Sequence, residues 1–207
     1  MLNPKRGQFR SRADRGRGQT LVEFAMILPL FMILLMGVIE FAFMFNATLE
    51  VNYASRNASL IAAEAGSNVL ADCATLAKIE QDIGAPLNAA NIQSVTIYKA
   101  DRAGNVAGAQ NVYSRTGTTT CTGFTPSSVP YSLGTATYPM GEAPAGGRCD
   151  ILAGCSTTIP MDSIGVTIVY RYYLKTPLRN LVSFLPGAGT GYVDFSWSNV
   201  MRMEPIL

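Results

Sequence analysis

The chain has 207 residues, 48% of them hydrophobic, with a net charge of +2 and no histidine. That length suits one membrane anchor plus one modest globular domain. The missing imidazole removes Ser-His-Asp and Cys-His catalysis and histidine-ligated metal sites.

The small net charge hides an asymmetry. Within residues 1–18, Lys5, Arg6, Arg10, Arg12, Arg15 and Arg17 face Asp14 alone, and the remainder of the chain is net acidic. The basic charge is therefore an N-terminal topological address and not a nucleic-acid surface. It ends where a long apolar run begins. From Phe24 to Ile39 no side chain is polar, Glu40 interrupts, and Phe41–Phe45 resumes. As a helix, 24–45 is about 33 Å long at ~1.5 Å per residue, enough to cross a hydrocarbon core of ~30 Å. The run is too long for a secretory h-region and lacks a small-residue cleavage site after it. The Lys/Arg bias places the N-terminus in the cytoplasm and everything past about Asn46 outside. Pro29 predicts a kink in this helix, not a break.

Two acids flank the run. Glu40 reads as an interfacial residue near the outer headgroups, with an inter-helix partner as the alternative. Glu23 sits at the opposite mouth, where a solvated boundary carboxylate is the simplest reading. A second reading follows from Gly18. A cut after Gly18 makes Gln19 the first residue and Glu23 the fifth. The new amine of one chain then meets Glu23 of its neighbour in a helical bundle and neutralises it, since an unpaired buried charge costs several kcal/mol.

Past the membrane, Val51, Ala54, Ala58, Ile61, Ala62, Ala65 and Val69 recur at three- and four-residue steps, with Asn52, Arg56, Asn57 and Glu64 opposite. The spacing predicts one continuous helical rod of about 50 residues, ~75 Å long, ending near Gly66-Ser67-Asn68. A short helix is expected within 73–91, stopped by Pro86. Ile92–Lys99 and Val106–Tyr113 read as a hairpin around the turn Asp101–Asn105. Residues 114–158 read as a long irregular segment, Ile164–Tyr173 as a strand, Leu178–Leu185 as a short helix and Tyr192–Met203 as a last strand. Four strands and a long helix predict an α+β domain with a small antiparallel sheet. Tyr170, Tyr172 and Tyr173 read as sheet packing. Asp150, Asp162 and Asp194 are scattered and suggest no catalytic pair.

The four cysteines, Cys73, Cys121, Cys149 and Cys155, all follow the apolar run, and none has CxxC spacing. Their even number on one side of a membrane points to disulfides in an oxidising compartment. Cys149 and Cys155 would close a short loop and leave Cys73 to bridge Cys121. The other pairings stay open, because four cysteines allow three connectivities.

Gly18, four further residues and then Glu23-Phe24 resemble the class III signal of type IV pilins. The stretch from Gly18-Gln19 through Val22-Glu23-Phe24-Ala25 to Pro29, with Gly37 and Glu40 beyond, resembles the TadE-like family of the tight-adherence (Flp) pilus systems. So do the small-residue helix Asn52–Ala58 and the closing Arg202-Met203-Glu204-Pro205. The length and the Glu23-Phe24 pair, where the major pilins carry Glu-Tyr, set the chain apart from a major pilin. The resemblance implies a pseudopilin or minor pilin with a pilin-like α+β fold. It implies a prepilin peptidase as processing enzyme, other pilins or pseudopilins and an inner-membrane assembly platform as partners, and no cofactor. The expected organisation is a leader at 1–18, a transmembrane helix at 19–45, a periplasmic extension of that helix at 46–70 and an extracytoplasmic domain at 71–207. The competing expectation is an unprocessed, single-pass anchored binding or scaffold protein.

Overall fold

A computed structural model of the chain describes residues 14–140, 147–150, 161–177 and 191–203, with side chains from Gly18 onward. One helix, α1, runs unbroken from Asp14 to Ala65 and passes through Pro29. Its two halves differ in environment. No part of the apolar window near the N-terminus is buried among the described residues, and this helix is long and apolar enough to cross a membrane. From Ala47 onward, one face is packed: Ala47, Val51, Ala54, Ala58 and Ala62 are fully buried. The three- and four-residue steps between them keep one stripe facing inward. Their small side chains let the helix approach the sheet closely. Val69, expected on the buried stripe, lies beyond the helix end and is exposed.

A short helix, α2 (Ala71–Asp82), packs beside α1. Asn57 of α1 donates to Asp82 of α2 at 2.9 Å. The strands are β1 (Ile92–Ala100), β2 (Val106–Ser114), β3 (Thr119–Thr120), β4 (Ser128–Val129), β5 (Ser132–Ala136), β6 (Ser163–Tyr173) and β7 (Tyr192–Arg202). Five of them form an antiparallel sheet in the order β5-β2-β1-β6-β7, and β3 and β4 pair separately. The architecture is the expected α+β one, with one strand more in the main sheet. β5 lies within the stretch expected to be irregular. Its sequence, Ser-Leu-Gly-Thr-Ala, carries almost no apolar alternation, because it is an edge strand whose residues are mostly exposed. The expected helix at 178–185 lies outside the described residues.

β6 is the spine of the sheet. Ile164, Val166, Ile168, Tyr170 and Tyr172 alternate into the core under α1, the period-two pattern of a half-buried strand. The other face is mixed, with Ser163, Thr167 and Arg171 beside Val169 on β6, and it carries one buried ring. The ring of Tyr98 lies over Gly165, and its hydroxyl reaches the Gly104 carbonyl (3.1 Å) and the Ser198 hydroxyl (2.6 Å). A Cβ on residue 165 would stand 2.3 Å from Tyr98 Cζ. Gly165→Ala must push this buried ring off both hydrogen bonds and is expected to cost about 1–3 kcal/mol. A urea melt of the detergent-solubilised protein reads this, and an unchanged midpoint would refute it.

Candidate functional site

The chemically distinctive groups fall at three levels along α1 and the head. At the first, Gly18 and Gln19 lie in a helical turn whose surroundings are open, and a Cβ on Gly18 would meet nothing within 4 Å. Gln19 Nε2 donates to Glu23 Oε1 at 3.0 Å, one turn along. Phe24 is exposed, as are most of the apolar side chains from Leu21 to Ile39. The structure thus brings Gln19 and Glu23 together within one chain. It leaves Gly18, Phe24 and Pro29 without tertiary contacts to the head.

At the second level is Glu40, expected from sequence as an interfacial residue or an inter-helix partner; its carboxylate is bonded within its own chain. Glu40 is only 5% exposed. Its carboxylate accepts from the Tyr172 hydroxyl at 2.8 Å, from the Lys175 backbone N–H at 3.0 Å and from the Thr176 backbone N–H at 2.7 Å. No cation pairs with it among the described residues. Two peptide dipoles and a phenol hold the carboxylate, an arrangement that favours the charged form. The Lys175 ammonium turns aside to donate to the Pro86 carbonyl at 2.9 Å and lies 5.6 Å from the ring centroid of Phe43. One acid on α1 thereby fastens the exit of β6 to the helix at the point where the bare apolar segment ends. Sequence could not pair Glu40 with groups more than 130 residues away. The only trace was a lone acid closing a long apolar run.

At the third level, a buried polar network joins α2, β2 and the loops at the top of the head. Asp72 accepts from Asn111 (2.8 Å) and Tyr113 (2.7 Å) and pairs with Arg148. The Arg148 guanidinium also lies over the ring of Tyr138. Tyr138 in turn donates to Asp162 at 3.2 Å. Burial pushes the Tyr113 and Tyr138 hydroxyls well above the usual tyrosine range, and Asp72 and Asp162 beside them push the same way. Both phenols stay neutral donors. The three aspartates scattered in sequence stay apart in space: Asp150 accepts from the Ser67 N–H (2.6 Å), Asp162 from Tyr138, and Asp194 pairs with Arg171 (2.7 Å). These contacts are structural, and no group of three or more His, Cys, Asp or Glu able to hold a metal occurs among the described residues.

Cys73 and Cys121 form a disulfide with Cα atoms 6.0 Å apart, clamping the start of α2 to the β3–β4 region. Cys149 is also disulfide-bonded, and Cys155 lies outside the described residues. Of the closing signature, Arg202 ends β7, and Met203 is buried with its N–H on the Asp162 carbonyl (3.0 Å). Glu204 and Pro205 lie outside the described residues.

A free apolar helix of membrane-spanning length carrying a disulfide-braced α+β head defines a helix-anchored protein. Within it, residues 18–59 match the model of the TadE-like protein family, the family that the N-terminal motifs resemble. That match covers about a fifth of the chain, from Gly18 through Glu40 into the packed half of α1. No curated protein and no solved structure matches the chain.

Glu40→Ala leaves the N–H groups of Lys175 and Thr176 and the Tyr172 hydroxyl without their acceptor, at roughly 1–3 kcal/mol for each buried group so orphaned. Amide exchange at Lys175 and Thr176 is expected to accelerate at least about tenfold, while exchange in the core of β6 changes little. Equal protection in both proteins would show that Glu40 is not the fastening point.

Proposed function

We propose that the protein is a pseudopilin or minor pilin of a tight-adherence pilus, acting in assembly or capping of the fibre and not as an enzyme. The observation that carries this reading is the division of α1. The segment from Gly18 to Ile39, apolar but for Gln19, Thr20 and Glu23, is mostly exposed and about 33 Å long at ~1.5 Å per residue, and Glu40 then begins the part held by the head. Such a segment satisfies its backbone internally and can sit in lipid or in a bundle of like helices. On this reading the span lies in the inner membrane with residues 1–18 in the cytoplasm. Its outer limit is at Glu40, more than a turn earlier than composition suggested.

Above Glu40, the face of α1 turned away from the head remains apolar. Phe41, Phe45, Leu49 and Tyr53 follow one another at four-residue steps and are all more than half exposed. They extend the helix-packing surface from the membrane into the extracytoplasmic half.

Processing by a prepilin peptidase after Gly18 belongs to the same proposal. The scissile bond lies in the first turns of α1, and hydrolysis requires that turn to open. Gly16 and Gly18 make this easier, each lowering helix stability by roughly 1 kcal/mol relative to alanine. The cut removes the basic leader and leaves an amine at Gln19. Glu23, which accepts from the Gln19 amide in the intact chain, then takes the amine of a neighbouring subunit. That pairing fixes an axial step between chains and draws the subunit into the assembly platform with other pilins. The continuity of α1 through Gly18 also suits a second reading, an unprocessed single-pass scaffold.

Glu23→Ala in the native host tests the assembly role. The variant is expected to fold and insert normally, since among the described residues Glu23 is exposed and its side chain bonds to Gln19 of the same helix. Its crosslinking to other pilus subunits is expected to fall severalfold. Undiminished crosslinking would remove Glu23 from the mechanism.

A further inference from the structure

The sheet ends about 35 Å from the Glu40 junction, at ~3.3 Å per residue along β6. There it opens a cleft of about 550 Å³ between the β1–β2 turn and the ends of β6 and β7, lined by Lys99, Ala100, Arg102, Met161, Asp162 and Arg202, among others. Small-molecule and peptide-sized sites fall in a similar range, ~300–1,000 Å³.

The charges in this cleft are unequally satisfied. Asp101 Oδ1 is taken by the N–H groups of Ala103 and Asn105, both at 2.8 Å, and closes the turn. Asp162 is buried and accepts from Lys99 Nζ (2.5 Å), Tyr138 (3.2 Å) and the Cys149 N–H (3.1 Å). Both carboxylates are thus committed to the fold, and Asp162 has absorbed the lysine. Arg102 and Arg202 line the same cleft, are exposed, and make no hydrogen bond or ion pair among the described residues. Two guanidinium groups are left facing an apolar floor of Ala100, Ala107 and Met161.

A planar guanidinium fork matches a carboxylate or phosphate oxygen pair. The floor decides between classes of partner. Among the described residues no aromatic side chain lines the cleft, and these residues offer no stacking platform of the kind on which single-stranded nucleic acids rest their bases. Arginine and methionine are among the residue types enriched at protein–protein contacts, and carboxylates are the groups that two unpaired guanidinium forks would recognise there. We propose that this cleft docks an acidic segment of a partner protein, with its carboxylates on Arg102 and Arg202 and its small or aliphatic residues on Ala100, Ala107 and Met161. The proposal stands independently of the pilus reading.

The test is a methyl NMR titration of the full chain in detergent micelles with an acetylated tetraglutamate amide, and in parallel with a trigalacturonate. The peptide is expected to shift the Ala100, Ala107 and Met161 methyl signals saturably, with affinity falling severalfold as salt rises. Arg102→Gln with Arg202→Gln is expected to weaken binding at least about tenfold, leaving core methyl signals in place, because both side chains are exposed. Absence of saturable shifts at these methyls, an equal or stronger response to trigalacturonate, or an undiminished affinity in the double variant would each overturn the proposal. The wild-type titrations decide even if the variant fails to fold.

Discussion

Glu40 accepts hydrogen bonds from Tyr172 and from the Lys175 and Thr176 backbone, and through them ties α1 to a stretch of chain 132 to 136 residues further on. The contact has two consequences. It closes the base of the head, because β6, the spine of the sheet, leaves the core at this point. It also marks where the helix changes environment, since the apolar side chains before it are mostly exposed. A carboxylate suits the task better than an apolar residue. Buried N–H groups at a chain turn must be paired, and a charged acceptor forms stronger hydrogen bonds than a neutral one. A charge that is costly in lipid further opposes sliding of the helix into the bilayer.

The rest of the molecule can be understood from that fixed point. Toward the N-terminus the apolar side chains of the helix are mostly exposed, so this surface is available to lipid or to other helices. Past Glu40, one face is spent on the sheet through Ala47, Val51, Ala54, Ala58 and Ala62, and the opposite face keeps Phe41, Phe45, Leu49 and Tyr53. The head is stiffened where it is farthest from the membrane by the Cys73–Cys121 disulfide and the Asp72–Arg148 pair. A rigid head on a free helix is a form that can be drawn out of a membrane as one body.

Elements with strong periodicity were legible in the sequence. The apolar run and the alanine stripe gave one helix of about the right length, and Ile92–Tyr113 gave the β1–β2 hairpin because alternation and an Asp-to-Asn turn coincide there. β6 was legible for the same reason. β5 was not, since an exposed edge strand needs no apolar alternation. The N-terminal motif could be read because its residues lie within one helical turn or two of each other. The partners of Glu40 were not legible because they are remote in sequence and two of them are backbone groups, which carry no residue signature. The buried Asp72 network and the distal cleft were invisible for a related reason: each gathers residues from four or more segments.

The account rests on a helix that is released at Gly18 and held at Glu40. The most direct test is the mass and terminal peptide of the protein isolated from its native membrane. The account predicts a chain that begins at Gln19 and carries a basic N-terminus facing Glu23. A chain that still begins at Met1 would contradict it, leaving a permanently anchored head whose basic arm stays in the cytoplasm.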